Sequence, residues 1–402
     1  MSLKSFIRDK VKINSFLEKR GLRLITAEGY QRMQYPARSV FLKNTLDALR
    51  ASKKTTTPHL NALLEEIADA VVTFPAESYW QNILDAENQE ETILAKIVKR
   101  AGAKLLSLYN FHKFQHYPHH EFLETVREVQ QAGADLEVIY NRLSDDNSRL
   151  AFDNMFRSRL TYPFFPNTLE SVFPMPVSLE TMQAAQDVVK KGMPDFPTLQ
   201  GATRNERDFF LLTTWLLEQY RIPGRCEVAD GDVVFDVGGC FGETAIYFSR
   251  FCGNAGKVFT FEPHAYFFSH LKHNVVNFPA IQPVNVGLGS EPAEITMSFN
   301  AKTSCATITT IDRFVESSNL QRVDFIKMDI EGIERDALKG ATNTLKKMRP
   351  KLAISVYHLP DDIRVISHLI FDIYGDDCEF YMKNVTNTYS ETILFVVPKI
   401  LC

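Results

Sequence analysis

Asp232–Thr244 reads Asp-Val-Val-Phe-Asp-Val-Gly-Gly-Cys-Phe-Gly-Glu-Thr. A β-branched and aromatic run leads into a glycine turn, and the turn opens a helical pattern. Gly238, Gly239 and Gly242 approximate Gly-x-Gly-x-x-Gly without matching its spacing. Glycine lets a backbone turn tightly and approach a ligand closely. Glu262 ends the next apolar run, where a carboxylate accepts both hydroxyls of a ribose. A nucleoside cofactor follows. A dinucleotide carries a pyrophosphate, which wants bare amides at a helix N-terminus. S-adenosylmethionine carries a cationic sulfonium and ammonium instead. Asp236 before the turn and Glu243 at the helix start would repel the first and suit the second. Glu243 and Thr244 also suit the start of a helix for dipole and capping reasons. Cys240 reads as a small residue filling the turn.

A second cluster lies in Phe325–Glu334, Phe-Ile-Lys-Met-Asp-Ile-Glu-Gly-Ile-Glu. Read as a strand to Ile330, period-two alternation puts Lys327, Asp329 and Glu331 on one face. A covered parallel strand should be apolar on both faces, so these charges require partners or a ligand. Lys327 suits a neighbouring carboxylate. Asp329 and Glu331 fall near the strand's carboxyl end, where open α/β sheets bind ligands. The next strand ends at His358. Histidine is the natural general base near neutral pH. A carboxylate here orients it or helps hold a divalent metal, with Asp329 and Glu331 as the metal candidates. Glu334 reads equally as an N-terminal helix acid. His112, His116, His119 and His120 also cluster, but Pro118 interrupts their helical path and no acid or cysteine completes a ligand set.

The elements that must position these groups alternate. Asn205–Tyr220 predicts a helix. Strands follow at Asp232–Val237, Lys257–Phe261, Ile281–Val286, Phe325–Ile330 and Leu352–Tyr357, with short extra strands at Glu294–Ser298 and Ala306–Ile311. Helices are expected at Gly242–Phe251, Ala265–Asn277, Glu334–Lys347 and Asp362–Ile373. Strand–helix alternation implies a parallel, doubly wound α/β sheet. Glu379–Asn384 and Thr392–Val397 close the chain with no helix between them, so they form a hairpin and the last strand runs antiparallel. Upstream, Leu60–Val72, Glu91–Tyr109 and Glu121–Leu143 carry helical spacing. Ser144-Asp145-Asp146 caps a further helix reaching about Leu160. The expected organisation is a helix-rich domain over 1–160, a proline-rich linker over 161–200 holding a short helix at Leu179–Lys191, and a catalytic domain over 201–402.

A net charge of -4 offers no electrostatic argument for a nucleic-acid partner. No apolar run is long enough to span a bilayer. Leu3–Leu22 is basic and amphipathic, and reads as a helix packed on its own domain. The six cysteines form no Cys-x-x-Cys pair, which predicts a reducing, cytoplasmic setting.

The chain resembles the FkbM family of S-adenosylmethionine-dependent methyltransferases. The resemblance rests on Ile222–Gly224, Asp232–Thr244, Phe261–Pro263, Thr310–Asp312, Val323–Ala341, Lys351–His358 and Glu391–Thr392. It covers roughly 205–398, with a weaker likeness over Leu143–Thr161. It implies a Rossmann-like class I methyltransferase sheet of seven strands with the last reversed. It also implies O-methylation of hydroxyls on sugars or other small molecules or glycans. Asp236, Gly238, Gly242 and Glu262 match the family's cofactor motif. Asp329, Glu331 and His358 match its acidic strand and the strand beside it. Two other readings are a dinucleotide-dependent oxidoreductase, for which no Tyr-x-x-x-Lys dyad follows the turn, and a binding protein that keeps the fold without activity. The N-terminal region is large enough to bind the acceptor, cover the crevice or join copies into a homo-oligomer.

Overall fold

Short runs rich in valine, isoleucine and phenylalanine form the strands, and capped segments with three- and four-residue apolar spacing form the helices. The computed structural model describes residues 43–47, 57–73, 124–161, 172–299, 302–386 and 388–399. The histidine cluster, Leu3–Leu22 and Glu91–Tyr109 lie outside them. Contacts divide the chain into two units. One contains residues 1–138 and 156–174, and the other 139–155 and 175–402. Residues 139–155 and 175–200 therefore pack with the C-terminal unit. Among the described residues, no helix is long and apolar enough to cross a membrane.

In the first unit, α1 (Pro58–Thr73) buries Leu60, Leu63, Leu64 and Ile67. Helical residues 124–142 begin in this unit and bury Val126, Val129 and Leu136 within it. α2 (Asp146–Thr161) begins in the second unit, where the Asp145 carboxylate accepts the Ser148 amide at 2.7 Å, an N-cap bond, and its residues from Phe156 on belong to the first. Its Arg157 pairs with Glu66 at 2.7 Å.

Apart from helical residues 43–47 of the first unit, the second unit holds the remaining described helices and every strand described. α3 (Leu179–Lys191) is capped by Ser178 and matches its expected bounds. α4 (Arg204–Phe210) opens with a Thr203–Glu206 capping box and continues as a π-helical segment, Leu211–Leu216. The helix expected to reach Tyr220 therefore ends early. The strands are β1 (Val233–Val237), β2 (Lys257–Phe261), β3 (Ile281–Val284), β4 (Gly287–Leu288), β5 (Ala293–Phe299), β6 (Lys302–Thr309), β7 (Phe325–Met328), β8 (Lys351–Ser355), β9 (Cys378–Asn384) and β10 (Thr392–Pro398). Between them run α5 (Glu243–Cys252), α6 (Ala265–Asn274), α7 (Ile311–Ser317), α8 (Glu334–Lys339), α9 (Thr342–Met348) and α10 (Asp362–Tyr374).

The main sheet has seven strands in the order β3-β2-β1-β7-β8-β10-β9. β1, β2, β3, β7 and β8 pair in parallel, while β10 is antiparallel to both β8 and β9. The fold is the expected α/β sheet with its last strand reversed. Phe235, Phe259 and Phe261 meet Phe314 of α7 edge-on at 4.9–5.7 Å, packing that helix over one face.

Several expectations change. The two short extra strands form an antiparallel hairpin, β5–β6, in a separate sheet with β4. Ile311 begins α7, because Thr310 caps it by accepting the Arg313 amide. The helix expected over Glu334–Lys347 is split into α8 and α9. The break falls at Gly340, which lies so close to the Gly289 carbonyl that a Cβ would overlap it. β7 ends at Met328, not Ile330.

Candidate active site

Strand order reverses between β1 and β7, and the crevice outside their carboxyl ends is the expected ligand position in such sheets. The glycine turn leaves β1 there. Gly238 and Gly239 donate their amides to the Phe261 carbonyl at 3.1 and 2.9 Å. Gly238 has φ 89°, and a Cβ would overlap the Asp329 carbonyl oxygen. Only glycine suits both demands. That approach also sets the turn directly against the end of β7. Cys240 adopts φ 44° without being glycine. In that conformation its amide donates to Glu262 Oε2, 3.1 Å away.

Asp236 lies beneath the turn rather than in the crevice. It is opposite Thr260 on β2 and Lys327 on β7. Its carboxylate accepts the Thr260 and Thr244 hydroxyls at 2.8 and 2.9 Å and lies 3.3 Å from Lys327 Nζ. Lys327 also donates to the Gly238 carbonyl at 2.8 Å. The pair is fully buried, and it ties β1, β2, β7, the turn and the start of α5 together. Asp236 and Thr244 thus shape the cofactor turn from below. Their polar groups are already engaged with each other and with neighbouring strands.

Glu262 faces the turn. Its oxygens accept the Cys240 amide and, at 2.8 Å, the His264 amide. A carboxylate oxygen has two lone pairs, so each keeps capacity for a hydroxyl. Burial pushes Glu262 up to about 7, against those amides and the Lys327 charge. Burial pushes Glu243 up to about 8, partly offset by the amides of Glu243 itself and Phe241. The electrostatic expectation changes accordingly. Asp236 is neutralised by Lys327, and Glu243 takes up a proton near neutral pH. The turn is less anionic than its three acids suggest. No side chain caps the start of α5, but the buried Glu243 occupies its first turn.

Beside the turn lies a cavity of about 300 Å³. Phe261, Pro263 and Ile330 line it from the main-sheet side, and Leu288 of β4 with Ile295 and Met297 of β5 from the smaller sheet. Its lining is mostly apolar, as is usual for a pocket that takes a small molecule.

On the other side, Asp329, Glu334 and His358 converge. His358 Nε2 lies 3.3 Å from Asp329 Oδ1, and Nδ1 lies 3.0 Å from Glu334 Oε1. Glu334 is fully buried and accepts the Ile330 amide at 2.7 Å. Burial lowers the His358 imidazole, but Glu334, Asp329 and Glu331 outweigh it and lift the ring to about 9. Glu331 has φ 58°, so strand alternation stops before it. Its carboxylate is 93% exposed and 4.0 Å from His358. The expectation that Lys327, Asp329 and Glu331 share a strand face is therefore corrected: Lys327 is in the core, Asp329 is half-buried and Glu331 stands at the rim.

Residues passed over in the sequence complete this side. Tyr220, just beyond the π-helical segment, donates to Asp329 Oδ2 at 2.6 Å. The Tyr357 hydroxyl lies 3.3 Å from Asp329 Oδ1 and 3.2 Å from Glu391 Oε1, which share its single hydrogen. Gln219 donates to Glu391 Oε2. Burial and Asp329 push Glu391 up to about 7. Glu391 has φ 60°, a left-handed residue at the mouth of β10. Its sequence signals were its place between a turn and an apolar strand and the family resemblance over Glu391–Thr392, neither of which gave it a role. Glu334 had none beyond its place in the acidic run.

Residues 298–382 match the family described as the methyltransferase FkbM domain. Over 135 residues the chain is 34% identical to the hexuronic acid methyltransferase AglP of Haloferax volcanii, covering 30% of this chain and 55% of that protein. The chain thus spans about half the length of this curated relative. Among solved structures it is similar to methyltransferase FkbM from Methylobacillus flagellatus, at 20% identity and TM-score 0.46, covering 68% of this chain and 60% of that one. It is also similar to Aeropyrum pernix fibrillarin in complex with S-adenosyl-L-methionine, at 16% identity and TM-score 0.32, covering 45% and 72%.

Proposed function

We propose that this chain, which carries a methyltransferase FkbM domain, moves a methyl group from S-adenosylmethionine to a hydroxyl of a sugar or other small-molecule or glycan acceptor. The observation that carries the reading is the Gly238 turn, pressed against Asp329 on one side and flanked by Glu262 on the other. The residues fit the donor. Gly238 lets the turn close on the Asp329 carbonyl, where no side chain would fit. Glu262 keeps lone pairs for two ribose hydroxyls. The mostly apolar cavity lined by Phe261, Pro263, Leu288 and Ile330 would take the adenine ring. Glu243 occupies the helix start that a pyrophosphate would need, which argues against the dinucleotide reading. The hexuronic acid relative supports a saccharide acceptor.

When bound, S-adenosylmethionine supplies a methyl group on a sulfonium. The chain's own work is alignment, the large term in a two-reactant displacement. Asp329 and His358 hold the acceptor hydroxyl, with Asp329 itself fixed by Tyr220 and Tyr357. Glu331, exposed at the rim, passes the hydroxyl proton to solvent. The test uses donor labelled at the methyl group with fractionated sugars and glycans. Label should enter a hydroxyl-bearing fraction, and Asp329→Asn should lower turnover by about 10²–10⁴. Undiminished turnover in Asp329→Asn would contradict the assignment.

A further inference from the structure

We propose that Asp329, Glu334 and His358 form a divalent-cation site of the Mg²⁺ or Mn²⁺ type, which binds the acceptor hydroxyl. This deepens the reading above and rests on it for the acceptor. One donor atom from each residue lies within 4.8 Å of the others. An ion with bonds near 2.1 Å places adjacent donors about 3.0 Å apart and opposite ones about 4.2 Å apart. One ion takes only one ring nitrogen; at Nδ1 the 3.0 Å separation from Glu334 Oε1 falls in that range, while Asp329 Oδ1 lies 3.3 Å from Nε2 of the same ring.

A second observation is independent of the clustering. The His358 side chain is 8% exposed, yet neither ring nitrogen makes an aligned hydrogen bond, although each has a carboxylate oxygen close by. Glu334 Oε2 is buried and equally without a partner. With no aligned hydrogen bond at either nitrogen, the lone pair of one of them is left for a third body. Buried polar atoms left this way are costly, and an ion at the cluster would satisfy them.

Charge points the same way. Asp329, Glu331, Glu334 and Glu391 gather around one imidazole. Lys327 is committed to Asp236 and the glycine turn, and Arg335 to Asp361 and Asp362. Two carboxylates and an imidazole, which gives up its proton as the ion displaces it, form a mostly hard donor set. With three protein ligands, coordination positions remain for water and the acceptor oxygen. Bound there, the hydroxyl becomes more acidic. Its O–H bond breaks toward Glu331 or water, the O–CH₃ bond forms, and the methyl–sulfur bond breaks with its electron pair returning to sulfur.

The test is Mn²⁺ titration of the full chain by electron paramagnetic resonance, with neither donor nor acceptor present. One site per chain is expected. Glu334→Gln and His358→Ala should each raise the Mn²⁺ dissociation constant by at least about tenfold, while Glu262→Gln should leave it unchanged. Circular dichroism identifies any variant that fails to fold, and the other then carries the comparison. Absence of Mn²⁺ binding, or binding indifferent to both variants, overturns the site. Because the readout needs no methyl transfer, its failure is distinct from failure of the proposed activity.

Discussion

At the residue scale, the functional reading depends on how burial sets each acid. Glu262 sits at about 7 in the free protein because burial penalises its charge. Ribose hydroxyls and a nearby sulfonium favour the ionised form, so donor binding must expel the proton from Glu262 below that pH. By linkage, affinity for S-adenosylmethionine should rise with pH, by up to about tenfold per unit, and level off above about 7. Glu262→Gln should weaken binding and flatten that dependence, and fluorescence or calorimetric titration across the range checks both. Gly238→Ala faces a positive φ and the Asp329 carbonyl at once. It should cost at least about 1–3 kcal/mol of stability, read by denaturant unfolding, and abolish donor binding. The sequence showed Glu262 and Gly238 plainly, because a glycine turn and a strand-end acid are local patterns. It could not show that Asp236 is spoken for. That follows from the register of β1 against β2 and β7, which brings Thr260 and Lys327 to it from distant positions.

At the scale of elements, β1 and β7 are held by the buried Asp236–Lys327 pair. Lys327→Met should leave Asp236 as an unpaired buried charge and cost about 3–5 kcal/mol. The double variant Asp236→Asn with Lys327→Met should recover part of that loss, as measured by urea unfolding. The alternating pattern and the terminal hairpin were legible because hydrophobic period and loop length dictate them. The ends of the elements were less so. β7 stops early and the chain turns left-handed at Glu331 and Gly332, which rotates Glu331 out to the rim. Glu391 makes a similar left-handed entry into β10, and neither acid announces it. Glu334 was hidden by sufficiency: an acid at a helix start already has a reason to be there, so its contact with His358 had no separate signal. The π-helical segment before Gln219 and Tyr220 likewise leaves no mark in composition, yet it precedes two residues that anchor Asp329 and Glu391.

At the scale of the molecule, all of the site lies in the C-terminal unit, with side chains drawn from Gln219 to Glu391. Residues 175–200 and 139–155 pack in that unit as well. A ligand bound only by the folded state stabilises it by mass action, about 2.7 kcal/mol at one hundred times its dissociation constant. Donor at that excess should raise the thermal midpoint of the transition that unfolds this unit, and Glu262→Gln should reduce the rise. The account's central claim is that the Gly238 turn and Glu262 bind a sulfonium nucleoside rather than a dinucleotide. Isothermal calorimetry of the full chain against S-adenosylmethionine and against a nicotinamide dinucleotide tests it most directly. The account predicts saturable one-to-one binding of S-adenosylmethionine, weakened in Glu262→Gln, with no comparable binding of the dinucleotide. Tight dinucleotide binding with no heat from S-adenosylmethionine would contradict it.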